Sequence, residues 1–325
     1  MKKAGVFAVL LSLVCCCNAA DAVPVPVGPP SGLDGSVDPD GSVAPEGGPE
    51  GGEAGDAAAD GPPLVPGNLR VMAANISSGP SLAYGPAEGV RIFQGLHPDI
   101  VLIQEFNVGG NSTPEIESFV TTTFGAGFTY YRESGFQLPN GVISRYPILE
   151  SGTWVDPSAV NRGFAYAKLD IPGAHPLWAI SLHLLTSGST QRGNEAVELV
   201  KQVQLVVPAA DYLVLGGDFN TDFRNESCIS ELSKIVVTAA PDPVDGAGNA
   251  NTSAPRSKPY DWVLADPDLA PLAVPMVVGQ RAFAAGLVFD TRVFTPLADV
   301  APAQAGDSAA ANMQHMPVAR DFRVP

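Results

Sequence analysis

Residues 213–221 read LVLGGDFNT: an apolar Leu-Val-Leu run, two glycines, then Asp218, Phe219 and Asn220. A short continuous apolar run of this kind suits a strand buried on both faces. A carboxylate at the buried end of such a strand is costly unless it is paired or meets a cation. Asp218 therefore points to chemistry more than to an ordinary turn.

Other runs repeat the pattern. Leu69–Ile76 contains Asn75, and Ile100–Ile103 runs into Gln104 and Glu105. Trp178–Leu185 contains His183, Tyr260–Leu264 has Asp261 near its start, and Met313–Val318 carries His315. Six predicted strands that each deliver Asn, Glu, His or Asp are hard to explain as core packing. Helical spacing appears between them, at 86–96 and 114–123, most clearly at 190–207, and again at 225–236. The expected fold is α/β, with two packed mixed β-sheets flanked by helices.

Composition bounds the function. The chain has 325 residues and a formal net charge of −16, which argues against holding nucleic acid mainly by bulk charge. Three of the four cysteines are consecutive, Cys15–Cys17, leaving Cys228 alone in the body. That excludes a disulfide framework and a cysteine zinc cluster. His97 and His175 each precede a proline and read as loop residues.

Much of the charge sits outside the body. Residues 1–20 begin with Lys2 and Lys3, continue through the apolar Val6–Val14, and end in small residues, the order of a secretory signal. A cysteine after such a run is also where a lipid would attach. Val14, Cys15 and Cys16 are not the small residues that usually precede one, so free secretion and a lipid-anchored surface protein both stay open. Residues 21–66 hold ten Gly, ten Pro, nine acidic residues and no Lys or Arg. Such a segment buries too little apolar area to offset chain entropy and reads as a disordered acidic spacer. Residues 67–325 keep 16 basic and 25 acidic residues, a net charge near −9. They form the expected catalytic domain.

Carboxylate and amide oxygens are hard ligands that suit Mg²⁺, Mn²⁺ or Ca²⁺ rather than Zn²⁺. Two histidines supply proton transfer near neutral pH. The combination suits hydrolysis of a phosphate ester.

The segments RVMAANIS, DIVLIQEF, NGVISRYPI, SLHL, LVLGGDFNT, YDWVL and QHMPV, in that order across the body, resemble the endonuclease/exonuclease/phosphatase superfamily. The resemblance implies a deoxyribonuclease I-like α/β/β/α sandwich of four layers. It implies that Asn75 and Glu105 hold the cation and that Asp218 and Asn220 position the attacking water and the phosphate. It makes His315 the general base, Asp261 its orienting partner, and His183 a contact to the phosphate or leaving group. Asn140 would steady His183. Read from the residues alone, Arg162 in NRGFAYAKL either faces the phosphate or makes a structural ion pair. Gln314 stands where the superfamily usually has an Asp, with Asp307 and Asn312 as nearby substitutes. Superfamily substrates include DNA, RNA, sphingomyelin and phosphoinositides.

The leading expectation is a secreted or surface nuclease, with a phospholipid head group as the alternative substrate and no obligate protein partner. A binding module that has lost its chemistry through Gln314 is the alternative of another class. A histidine-rich two-metal phosphatase fits poorly, since the body has only four histidines.

Overall fold

The structure, a computed structural model, describes residues 68–85 and 88–325. The expected signal and spacer lie outside the described residues. In chain order the first half holds β1 (Leu69–Ala74), α1 (Glu88–Leu96), β2 (Ile100–Ile103), α2 (Thr113–Phe124), β3 (Thr129–Arg132) and β4 (Gly141–Ser144). Then come β5 (Ile148–Trp154), β6 (Phe164–Leu169), β7 (Leu177–His183), α3 (Ser189–Val206), β8 (Tyr212–Asp218), α4 (Ser227–Leu232) and β9 (Asp261–Ala265). The chain ends in β10 (Ala273–Val274), β11 (Met276–Val278), β12 (Arg281–Phe283), β13 (Leu287–Val288) and β14 (Val318–Phe322).

Two mixed sheets form. One has the order β10-β14-β1-β2-β4-β3, with β13 also on β14; the other runs β5-β6-β7-β8-β9. Alternation along each strand sends successive side chains to opposite faces. In β8, Val214 joins the core between the sheets, while Leu213 and Leu215 pack with Ala196, Leu199 and Val200 of α3. On the far side, Ile92 and Phe93 of α1 and Ile116 and Phe119 of α2 complete the main core. The layers are therefore α/β/β/α, as expected.

The paired glycines explain themselves here. A Cβ on Gly216 would overlap the Trp262 carbonyl and press on Leu102 of the facing sheet. Gly217 has φ +138°, and a Cβ there would overlap the Leu182 carbonyl. Only glycine lets β8 pass this close to its neighbours and to the opposite sheet.

One expected strand is not formed. Met313–Val318 is not a strand: β14 begins at Val318, and His315 makes an isolated bridge with Ser253. Pro317 has no N–H to give a ladder. The segment instead lies against residues 252–254, with Ala254 N donating to the Gln314 carbonyl and Met316 N to the Thr252 carbonyl. The last expected helix is also shorter than 225–236, ending at Leu232.

Candidate active site

Sheet register gathers the polar strand ends. His183 pairs with Asp218 across the parallel β7/β8 ladder, and Asp218 pairs with Asp261 across the antiparallel β8/β9 ladder. In the other sheet, Ala74 pairs with Ile103, so Asn75 and Glu105 leave adjacent strand ends. All five side chains are buried at one rim.

Asp218 Oδ2 is the centre. It accepts from Asn75 Nδ2 at 3.0 Å and Asn220 Nδ2 at 3.3 Å. His183 Nε2 lies 3.3 Å from it and His315 Nε2 3.5 Å. Its Oδ1 accepts from the Asn220 backbone N–H at 2.9 Å. Burial pushes the Asp218 carboxyl up to about 6; Asp261 adds to the rise, and His315 opposes it.

The two histidines differ. Burial, then Arg162 and His315, hold the His183 ring well below its ordinary range. Its Nδ1 is buried without a partner. Burial also opposes charge on His315, but Asp261 and Asp218 outweigh it and raise the ring to about 9. His315 Nδ1 lies 2.9 Å from Asp261 Oδ2. Thr252 Oγ1 accepts from the Asp261 backbone N–H, which fixes the start of β9 against the loop that holds His315.

Asn75 turns its amide NH₂ toward Glu105 Oε1 (3.4 Å) and Asp218, and its Oδ1 is buried with no partner. Glu105 Oε2 accepts from Ser77 Oγ at 3.0 Å. An orphaned amide oxygen beside a carboxylate is a donor set that fits a hard divalent cation. Asp218, Asp261 and His315 form the one cluster of three acidic or histidine ligand atoms within 4.8 Å among the described residues. There His315 is already bonded to Asp261 through Nδ1, which suits a relay of protons better than a ligand shell.

The supporting residues divide. Arg162 is buried, lies within charge reach of Asp218, Glu195, Glu105 and Asp156, and donates through Nη2 to the Leu184 carbonyl at 3.3 Å. Its Nε has no partner. Asn140 is bonded to Gly163 rather than to His183: Nδ2 donates to the Gly163 carbonyl at 2.7 Å, because Glu133 holds the Asn140 and Gly163 backbones together. Gln314 is exposed, and its side chain makes no hydrogen bond among the described residues; only its carbonyl is used. Asp307 is taken by Arg91 at 2.5 Å, so it does not replace the missing acid, and Asn312 donates to the Ser78 carbonyl at 3.4 Å.

Sequence reasoning missed Ser77 and Thr252. Ser77 lies inside RVMAANIS, two residues after Asn75, and that spacing was its only signal.

The sequence profile of the Endonuclease/Exonuclease/phosphatase family matches residues 72–283. An endonuclease/exonuclease/phosphatase of Beutenbergia cavernae is similar in structure, with TM-score 0.53 and 19% identity over 79% of this chain and 72% of that one. One from Bacteroides vulgatus has TM-score 0.53 and 15% identity over 79% and 99% of the two chains. A conserved protein of Enterococcus faecalis reaches TM-score 0.52 at 12% identity, over 78% and 98%. At these identities the likeness is one of fold. No curated protein matches the chain. The profile match covers more than half of the sequence, and the chain belongs to the endonuclease/exonuclease/phosphatase family, whose members are metal-dependent hydrolases of phosphoric esters.

Proposed function

We propose that this hydrolase is a divalent-cation-dependent phosphodiesterase, a nuclease, in which a water activated by His315 attacks phosphorus in line. The observation that carries the reading is the convergence on Asp218 Oδ2 of Asn75, Asn220, His183 and His315.

Asn75 Oδ1 and Glu105 would hold the cation, Mg²⁺ or Mn²⁺ or Ca²⁺. When bound, it neutralises charge on the phosphate oxygens as the leaving oxygen departs. In its deprotonated form, His315 takes the water's proton at Nε2. Asp261 fixes its Nδ1 side, and two carboxylates raise the ring's affinity for that proton. Asp218 and Asn220 place the water. His183 and the free donor of Arg162 face the phosphate, where a buried guanidinium is worth most.

A phospholipid head group is the second reading. Val155 (71% exposed), Val160 (97%) and Phe223 (69%) stand on the loops after β5 and β8, at the same rim as Asp218. Exposed apolar residues around a polar site suit a lipid surface. The signal and spacer readings of residues 1–66 support secretion or display at the cell surface, by sequence alone.

The test is a Mg²⁺- and Mn²⁺-dependent screen over plasmid DNA, RNA, sphingomyelin vesicles and inositol phosphates. Wild type is compared with Asp218→Ala and His315→Ala, each expected to lose about 10³-fold or more in kcat. Cleavage of nucleic acid alone supports the nuclease. Cleavage of sphingomyelin or inositol phosphates alone transfers the assignment to the second reading. Near wild-type rates in both variants would remove the mechanism. An inert wild type that also binds no cation would leave the binding module.

A further inference from the structure

We infer that Tyr84 is a positioning residue for the cation-binding pair Asn75 and Glu105, an inference that rests on the reading of that pair given above. Tyr84 lies outside every segment that carries the chemistry, and its side chain is buried. Its phenol oxygen meets three backbone groups. The hydroxyl lies 2.9 Å from the Ala74 carbonyl and 3.1 Å from the Gln104 carbonyl, and it accepts from Ile76 N–H at 3.2 Å. These are the residues on either side of Asn75 and the residue before Glu105. One oxygen thus pins the ends of β1 and β2 where the two ligands leave them.

The need for a pin is visible in the backbone. Glu105 has φ +50°, a left-handed conformation that a residue with a Cβ adopts only under constraint. The turn is closed locally by Asn107 N–H donating to the Glu105 carbonyl at 2.6 Å. Tyr84 grips the same turn from its own main chain as well, since its N–H donates to the Asn107 carbonyl at 2.7 Å. Burial and the nearby Glu105 raise the phenol's pKa, so the hydroxyl keeps its proton and remains a donor. The ring sits between Phe93 and Phe119, with centroids 5.9 and 5.6 Å away. A phenylalanine would keep that packing and lose only the oxygen. Ile76 N–H would then be buried without a partner, and the peptide before Glu105 would be free to relax.

The test is Tyr84→Phe, with Mn²⁺ as the probe and no substrate present. Isothermal titration should show Mn²⁺ binding about 10-fold weaker than wild type, the usual effect of removing support behind a ligand. The Mn²⁺ concentration for half-maximal phosphodiesterase activity should rise by a similar factor, with kcat at saturating Mn²⁺ near wild type. Val200→Ala, on the buried face of α3, serves as a control for stability alone: it should lower the melting temperature and leave Mn²⁺ affinity unchanged. Equal Mn²⁺ affinity in wild type and Tyr84→Phe overturns the inference while sparing the site. Parallel weakening in Val200→Ala overturns it too, because the effect would then be general destabilisation. Failure of wild type itself to bind Mn²⁺ overturns the site reading and this inference together.

Discussion

Asp261 Oδ2 lies 2.9 Å from His315 Nδ1, although the two residues are 54 positions apart and only Asp261 belongs to a strand. The contact joins the edge of one sheet to the segment leading into the other. It leaves His315 Nε2 facing Asp218.

Asp261→Asn keeps the shape of that contact and removes its charge. The ring loses the partner that selects its tautomer and stabilises its protonated form. A drop of about 10²–10⁴ in kcat is expected, by analogy with other carboxylate–imidazole pairs. Steady-state assays with circular dichroism as a folding check decide it. A kcat within a few-fold of wild type would count against His315 as the base.

The cation prediction is thermodynamic. An ion that binds only the folded state stabilises it by about 2.7 kcal/mol at a hundred times its Kd. Millimolar Mg²⁺ or Mn²⁺ should raise the melting temperature of wild type, and a chelator should reverse the rise. Glu105→Gln and Asn75→Ala should show little or no shift. A full shift in both variants would place the ion elsewhere.

Glu133 supplies a pH prediction. Its side chain is buried, and burial pushes its carboxyl from 4.5 up to about 7, against hydrogen bonds from Asn140, Gly163 and Thr153. The folded protein therefore holds this proton more tightly than the unfolded chain. The contribution is fully present below pH 4.5 and is lost as pH rises through 7, a change of about 3 kcal/mol at most. Glu195, pushed up to about 8 by burial and by Asp156, acts in the same direction. Urea melts at pH 5 and pH 8 should show Glu133→Gln losing less stability across that interval than wild type. An identical difference in both proteins refutes the assignment.

Gly217→Ala tests the close approach in β8. The added carbon meets the Leu182 carbonyl at φ +138°. Overpacking and backbone strain together should cost about 3 kcal/mol, lowering the melting temperature by about 10 °C. An alanine variant as stable as wild type would mean that β8 has room to move away.

Much of this site was legible because β1, β2, β7, β8 and β9 are buried along nearly their whole length, so their apolar runs stop abruptly at polar residues. β5 announces nothing of the kind, since Leu149, Glu150 and Ser151 are exposed. The strand expected at Met313–Val318 failed because Met313 and Met316 reach the main core from a segment whose backbone bonds a loop rather than a ladder. Tyr84 works through main-chain atoms of other segments, and a tyrosine in a loop carries no local sign of that. The bond of Asn140 to Gly163 was not legible, because its motif shows neither Glu133 nor Gly163.

The registered row of His183, Asp218 and Asp261 separates two kinds of evolutionary freedom. A slip of one residue in β8 would turn Asp218 to the opposite face, so chemistry is protected by the pairing that makes the protein fold. The loops carrying Val155, Val160 and Phe223 are bound by no such ladder. They are free to change in length and sequence while the row of strand ends stays in place.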